Sequence, residues 1–197
     1  MASLNQTIII KKLSAQGLRF FTTTDFKKFF DIKQDNTASK MLERLTKKGV
    51  LKKLAKKQYL FTLLGADDFQ IANFLYSPSY ISLESALCFY GILGQFPYQI
   101  TSITARKTKT INCLNKEFNY SHIKQGLFFG YHKEKDFLIA SPEKALLDYL
   151  YFYSKGLCGF EKDDFNLAEI NKQRLNELLV QSGDAKLAGF IKQLNLC

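Results

Sequence analysis

Thr37-Ala-Ser-Lys-Met-Leu-Glu-Arg-Leu-Thr-Lys-Lys-Gly49-Val-Leu-Lys-Lys-Leu-Ala-Lys-Lys-Gln-Tyr-Leu-Phe-Thr62 is the stretch on which the reading of the fold turns. Ala38, Met41, Leu42 and Leu45 recur at i, i+3, i+4 and i+7, the spacing of one apolar helix face. The opposite face shows Thr37, Ser39, Lys40, Glu43, Arg44, Lys47 and Lys48. Either Asn36 or Thr37 can cap this helix, and Gly49 ends it. Beyond Gly49 the pattern predicts two short strands, at 50–54 and 58–62, around a turn bearing Lys56 and Lys57.

Towards the N-terminus, Leu4, Ile8, Ile9 or Ile10, and Leu13 predict a first helix over 4–16, with Gly17 as its stop. Phe21-Thr-Thr-Thr-Asp25 then offers hydroxyls for a cap and an acid for the first turn of a short second helix. Phe26, Phe29 and Phe30 place aromatic rings on one face of that helix. Three helices followed by a basic hairpin is the element order of a winged helix-turn-helix. In such a unit the third helix offers its polar face to a DNA major groove, and basic side chains of the hairpin lie along phosphates. Each element alone is an ordinary amphipathic piece; their adjacency carries the argument. The residues expected at DNA are Thr37 and Ser39 nearest the bases, and Lys40, Arg44, Lys47 and Lys48 across groove and phosphates. Lys52, Lys53, Lys56 and Lys57 of the hairpin complete the set.

Charge supports the division. The 197 residues carry a net +10, and 14 Lys/Arg against four Asp/Glu place all of it before Gly65. From Gly65 on, 14 basic and 14 acidic residues cancel. Two domains are therefore expected, a basic one over 1–64 and a neutral one over 65–197.

The second part reads as mixed α+β. Helices are predicted over 67–76, 82–90, 141–154, 171–182 and 185–195. Between Gln99 and Ala140 the pattern is strand-like, at 100–104, 110–111, 118–120, 127–131 and 137–139. Ser82 and Ser141 are placed as helix caps, Pro142 at the first helical position, and Glu84 and Glu143 in first turns, where a carboxylate meets the positive end of the helix. The aromatic run Tyr149–Tyr153 is assigned to the core, with an exposed part marking a partner surface as the alternative.

Catalytic groups are sparse. His122 and His132 lack a helical metal-binding partner, and Cys88, Cys113, Cys158 and Cys197 show no zinc or redox spacing. No P-loop, GxGxxG, GxSxG or HExxH is present, and Glu161-Lys-Asp-Asp164 lacks the glycine and final Glu of a calcium loop. The expectation is a non-enzyme with no cofactor and no metal. With no apolar run of membrane-spanning length and no signal-like start, it is expected in the cytoplasm.

Several blocks resemble the AbiE-type antitoxin family of type IV toxin–antitoxin, or abortive-infection, systems. In the first part these are Phe21–Phe26, Thr37–Leu45, Gly49-Val-Leu and Tyr59-Leu-Phe. Further along are Ile71-Ala72, Ser79-Tyr-Ile-Ser-Leu-Glu-Ser-Ala-Leu87, Tyr90-Gly91, Ile103-Thr104, Phe129-Gly-Tyr131 and Ile139-Ala-Ser-Pro-Glu-Lys-Ala-Leu-Leu-Asp148. The likeness covers residues 20–155. It implies a winged-helix repressor that binds inverted repeats at its own promoter, and palindromic sites favour two protomers there, whether paired free or only on DNA. It also implies a C-terminal domain that counteracts a nucleotidyltransferase-like toxin. An orphan winged-helix regulator, with a ligand- or partner-sensing second domain, is the alternative. Where the family's hairpin carries Arg-Gly near its tip, this chain has Lys56-Lys57-Gln58, which disfavours a tight two-residue turn. The tail after Gly156 carries little of the likeness and is left without a role.

Overall fold

The computed structural model describes residues 5–94 and 98–194. The chain is α+β, with two sheets, and divides into two compact units, Met1–Leu75 and Tyr76–Cys197. That division falls after Leu75 rather than Leu64, so the segment 65–75 belongs to the basic unit.

In the first unit, α1 (Gln6–Ala15) is capped by the Asn5 side chain, which accepts the Ile8 N–H at 2.9 Å. A strand unforeseen in the sequence, β1 (Phe20–Thr22), precedes α2 (Thr23–Phe29). Thr22 and Asp25 form a reciprocal capping box. The Thr22 hydroxyl accepts the Asp25 N–H at 3.2 Å, and the Asp25 carboxylate accepts the Thr22 N–H at 2.8 Å. α3 (Asp35–Lys47) begins before both expected caps, and its N-cap residue, Gln34, makes no capping side-chain bond.

β2 (Leu51–Ala55) and β3 (Gln58–Phe61) pair antiparallel, and β3 also pairs with β1, giving the order β1-β3-β2. The connection between Ala55 and Gln58 is two residues long despite the missing glycine. Lys57 takes the left-handed conformation instead (φ 65°), and the register shifts between Lys53 and Ala55. Ile9, Leu13, Phe21, Phe26, Phe30, Leu42, Leu45, Leu51 and Phe61 fill the core. α4 (Asp68–Leu75) closes the unit: Phe74 stacks on Phe20 at 4.9 Å, and the Gln58 amide donates to the Phe74 carbonyl at 3.0 Å.

The second unit is built on a mixed six-stranded sheet of order β6-β7-β5-β4-β9-β8. Its strands are β4 (Ser79–Ile81), β5 (Ile100–Thr104), β6 (Lys109–Cys113), β7 (Lys116–His122), β8 (Tyr131–Glu134) and β9 (Phe137–Ala140). The pairs β5–β7 and β4–β9 are parallel. The strand expected over 127–131 is a correction: a 3-10 turn occupies Gln125–Leu127, and β8 starts only at Tyr131. The run Leu127-Phe-Phe-Gly-Tyr is apolar because it packs over buried groups, not because it alternates.

Helices α5 (Leu83–Phe89), α6 (Pro142–Tyr153), α7 (Lys172–Ser182) and α8 (Ala185–Gln193) complete the unit. Ser141 caps α6 as expected, accepting the Lys144 N–H at 3.2 Å, whereas Ser82 makes no cap bond to α5. Glu143 is buried and accepts the Asn171 N–H at 3.3 Å. Tyr149, Leu150 and Tyr151 are buried, as assigned, while Phe152 and Tyr153 are half-buried. Leu4 and the end of the helix expected to residue 195 lie outside the described residues.

Candidate nucleic-acid interface

Burial of Ala38, Leu42 and Leu45 fixes how α3 is rotated, and so fixes which residues face out. Thr37, Ser39, Lys40, Arg44, Lys47 and Lys48 are all exposed. At 100° per residue, Lys40, Arg44 and Lys47 form one stripe, Thr37 and Lys48 flank it, and Ser39 lies on the side nearer α2. On the hairpin, burial of Leu51 and Leu54 leaves Lys52, Lys53, Lys56 and Lys57 exposed. The ten residues singled out in the sequence therefore occupy one unit and its exposed surface.

They are not equally available. Lys47 pairs with Glu43 at 2.8 Å, a contact that holds the Glu43 carboxyl below and the Lys47 ammonium above their ordinary pKa values. Lys48 donates to the Gln6 side chain at 2.9 Å. Lys40 and Arg44 on α3, and Lys52, Lys53 and Lys56 on the hairpin, have no ion-pair partner among the described residues.

The structure adds residues that the sequence reading passed over. Thr23, Thr24, Lys27 and Lys28 of α2 line a cleft of about 560 Å³ together with Ser39 and Lys57. The Thr23 N–H donates to the Lys57 carbonyl at 2.9 Å, which seats the hairpin turn against the start of α2. Lys27 pairs with Asp35, and that hydrogen bond, then the charge of Lys27, lowers the Asp35 pKa. The adjacent Lys27-Lys28 pair is the sequence signal for this surface.

The second unit has a different polar centre. Lys144, Asp148, Tyr80 and Ser82 are each almost wholly buried. Asp148 pairs with Lys144 and accepts from the Tyr80 hydroxyl at 3.0 Å and the Ser82 hydroxyl at 2.8 Å. Burial raises the Asp148 pKa, against the pull of Lys144, Ser82 and Tyr80. The Phe129 ring lies 5.0 Å from the Lys144 ammonium, and Tyr131 stacks on Tyr80 at 4.6 Å. The blocks Ser79–Ser82, Phe129–Tyr131 and Ser141–Asp148 thus meet at one closed cluster. Its groups satisfy one another's hydrogen bonds and charges, which ties the three segments together.

No family model matches the chain, and the comparison with curated proteins gives no match.

The two histidines make local contacts. His122 Nδ1 lies 2.8 Å from the Arg106 carbonyl, and His132 lies 3.9 Å from Glu134. Among the described residues no group of three or more His, Cys, Asp or Glu could hold a metal ion, and Cys88, Cys113 and Cys158 form no disulfide with one another. No described helix is long and apolar enough to cross a membrane.

Proposed function

We propose that this protein is a DNA-binding antitoxin. Its first unit is a winged helix-turn-helix that represses the protein's own operon, and its second unit counteracts a nucleotidyltransferase-like toxin. The observation that carries the DNA part is the exposed basic surface of α3 and the β2–β3 hairpin. Lys40, Arg44, Lys52, Lys53 and Lys56 lie there without carboxylate partners. The order α1-β1-α2-α3-β2-β3 supports the winged-helix reading, with α3 as the groove helix and the hairpin as the wing.

The charge balance supports the division of labour. The first unit holds 14 Lys/Arg against six Asp/Glu, and the second 14 against 12, so the backbone of a nucleic acid is attracted to the first. The antitoxin part rests on the resemblance of the blocks that meet at the Lys144–Asp148 cluster.

Footprinting on the DNA upstream of the protein's own gene, joined to a salt titration, tests the first part. A protected inverted repeat is expected, with a log–log salt slope of about −4 to −5 per protomer for ~4–6 neutralised phosphates. A slope near zero refutes it. Rescue of growth arrested by a nucleotidyltransferase encoded beside it tests the second part; absence of such a neighbour, with DNA binding intact, leaves a winged-helix regulator of another kind.

A further inference from the structure

The second unit contains a cavity into which a buried carboxylate oxygen without a donor faces alongside aromatic side chains. Cross-strand partners share a sheet face, so the pairings Tyr80↔Ile103, Thr101↔Asn119 and Thr110↔Asn119 put Thr101, Asn119 and Thr110 in one row across β5, β7 and β6. That is the face on which the helices rest: Thr101 donates to the Ser82 carbonyl at 2.8 Å and accepts the Ser85 N–H at 3.0 Å. Thr101 is buried, Asn119 half-buried and Thr110 exposed, so the helical cover ends part-way along the row. Beyond that edge lies a cavity of about 450 Å³, walled on the other side by Glu84, Tyr149, Phe152, Leu157 and Cys158.

Glu84 Oε2 is buried and has no hydrogen-bond partner among the described residues. Four donors in the lining are already committed. Thr110 donates to Asn119 Oδ1 at 2.7 Å, the Asn119 amide to Gln99 and Glu117, the Tyr149 phenol to the Gly159 carbonyl at 2.8 Å, and the Cys158 thiol to the Tyr149 carbonyl. Burial, and then the Glu84 carboxylate, push the Cys158 thiol up to about 11, so it stays protonated and adds no second negative charge. Lys109, the cation among the described lining residues, lies over the Tyr76 ring at 4.9 Å and makes no ion pair with Glu84. Leu83, just before Glu84, holds φ 57°, a strained conformation for a bulky residue.

A buried carboxylate oxygen left without a donor costs free energy until a donor arrives. The cavity is far larger than a metal ion, and its aromatic side suits a flat cation that can stack while it donates. We propose that this cavity binds a guanidinium group, with Glu84 as its carboxylate partner and Tyr149 and Phe152 flanking the plane. The group comes either from an arginine side chain of a protein or from a small guanidino compound. The proposal is independent of DNA binding by the first unit.

The test is a titration of the 15N-labelled full chain with acetyl-Gly-Arg-Gly-amide, its neutral citrulline counterpart, and agmatine. The arginine peptide or agmatine is expected to shift the amide signals of Thr101 and Asn119, and the citrulline peptide to bind at least tenfold more weakly. Tighter binding of the peptide assigns a protein as the source; tighter binding of agmatine assigns a small molecule. Glu84→Gln is expected to lower affinity at least tenfold. Should that variant fail to fold, Leu157→Lys serves instead, since an ammonium at the exposed rim competes for the carboxylate and is expected to weaken binding similarly. Equal binding of citrulline, unchanged affinity in the folded variants, or no shift with either cation overturns the proposal.

Discussion

Lys144 and Asp148 stand one helical turn apart on α6, both removed from water, and each is tolerable only because the other is there. Removing one partner strands a buried charge, which typically costs about 3–5 kcal/mol, whereas an apolar replacement of both can be close to neutral. Lys144→Met and Asp148→Leu are therefore each expected to lower the urea midpoint strongly, while the double variant recovers much of the loss. Additive effects would show that the two charges are not coupled. Gly130 belongs to the same cluster: a Cβ there would come 2.9 Å from Lys144 Cγ, at a backbone φ of 73°. Gly130→Ala is expected to cost about 1–3 kcal/mol through crowding alone, measured in the same denaturation. None of this was visible in the sequence. The Ser79–Ser82 and Pro142–Asp148 blocks carry the likeness in the sequence, but only the fold brings Tyr80 to Asp148 across 68 positions of chain.

At the scale of elements, what was legible was what is local. The Thr22–Asp25 box, the Ser141 cap with Pro142 and the buried stripe of α3 follow from neighbours within one turn, and all three were readable as residue types at fixed spacing. β1 was missed because three residues are too few to alternate, and β8 was misplaced because an apolar run over a buried cluster imitates a strand. The turn at Lys56-Lys57 was expected to be longer because glycine was missing, but a lysine in the left-handed region closes it.

The capping box carries a pH signature. Hydrogen bonds from Thr22, side chain before backbone, lower the Asp25 pKa, so its contribution is present above the ordinary carboxylate value and lost as pH falls through the depressed one. Thr22→Ala is expected to cost about 1 kcal/mol at neutral pH and markedly less at pH 2. An equal cost at both, in thermal melts, would show that the box does not hold the carboxylate. For the DNA elements, Lys40→Ala with Arg44→Ala should reduce discrimination between operator and random DNA. Lys56→Ala with Lys57→Ala should weaken both alike and flatten the salt slope by about 2. Identical salt slopes for wild type and the hairpin variant would remove the hairpin from the phosphates.

For the molecule as a whole, the sequence placed the boundary where the charge changes, and the structure places it where packing changes. The two differ by the segment 65–75, which adds Asp67 and Asp68 and takes the first unit from +10 to +8. Net charge alone would make a 1–64 fragment the better DNA binder. Packing argues otherwise. Without α4, Phe20 loses its stack with Phe74, and the Gln58 amide loses the Phe74 and Leu75 carbonyls to which it donates at 3.0 and 3.3 Å. Gln58 opens β3, directly after the hairpin turn, so the loss falls on the element that presents Lys56 and Lys57. An aromatic pair and the two hydrogen bonds together are worth about 1.5–4.5 kcal/mol. The 1–75 fragment is thus expected to melt higher than 1–64 and to reproduce the salt slope of the full chain. The shorter fragment should bind more weakly in spite of its larger charge. Tighter binding by 1–64 at every salt concentration would mean that charge, and not the presentation of the hairpin, sets affinity.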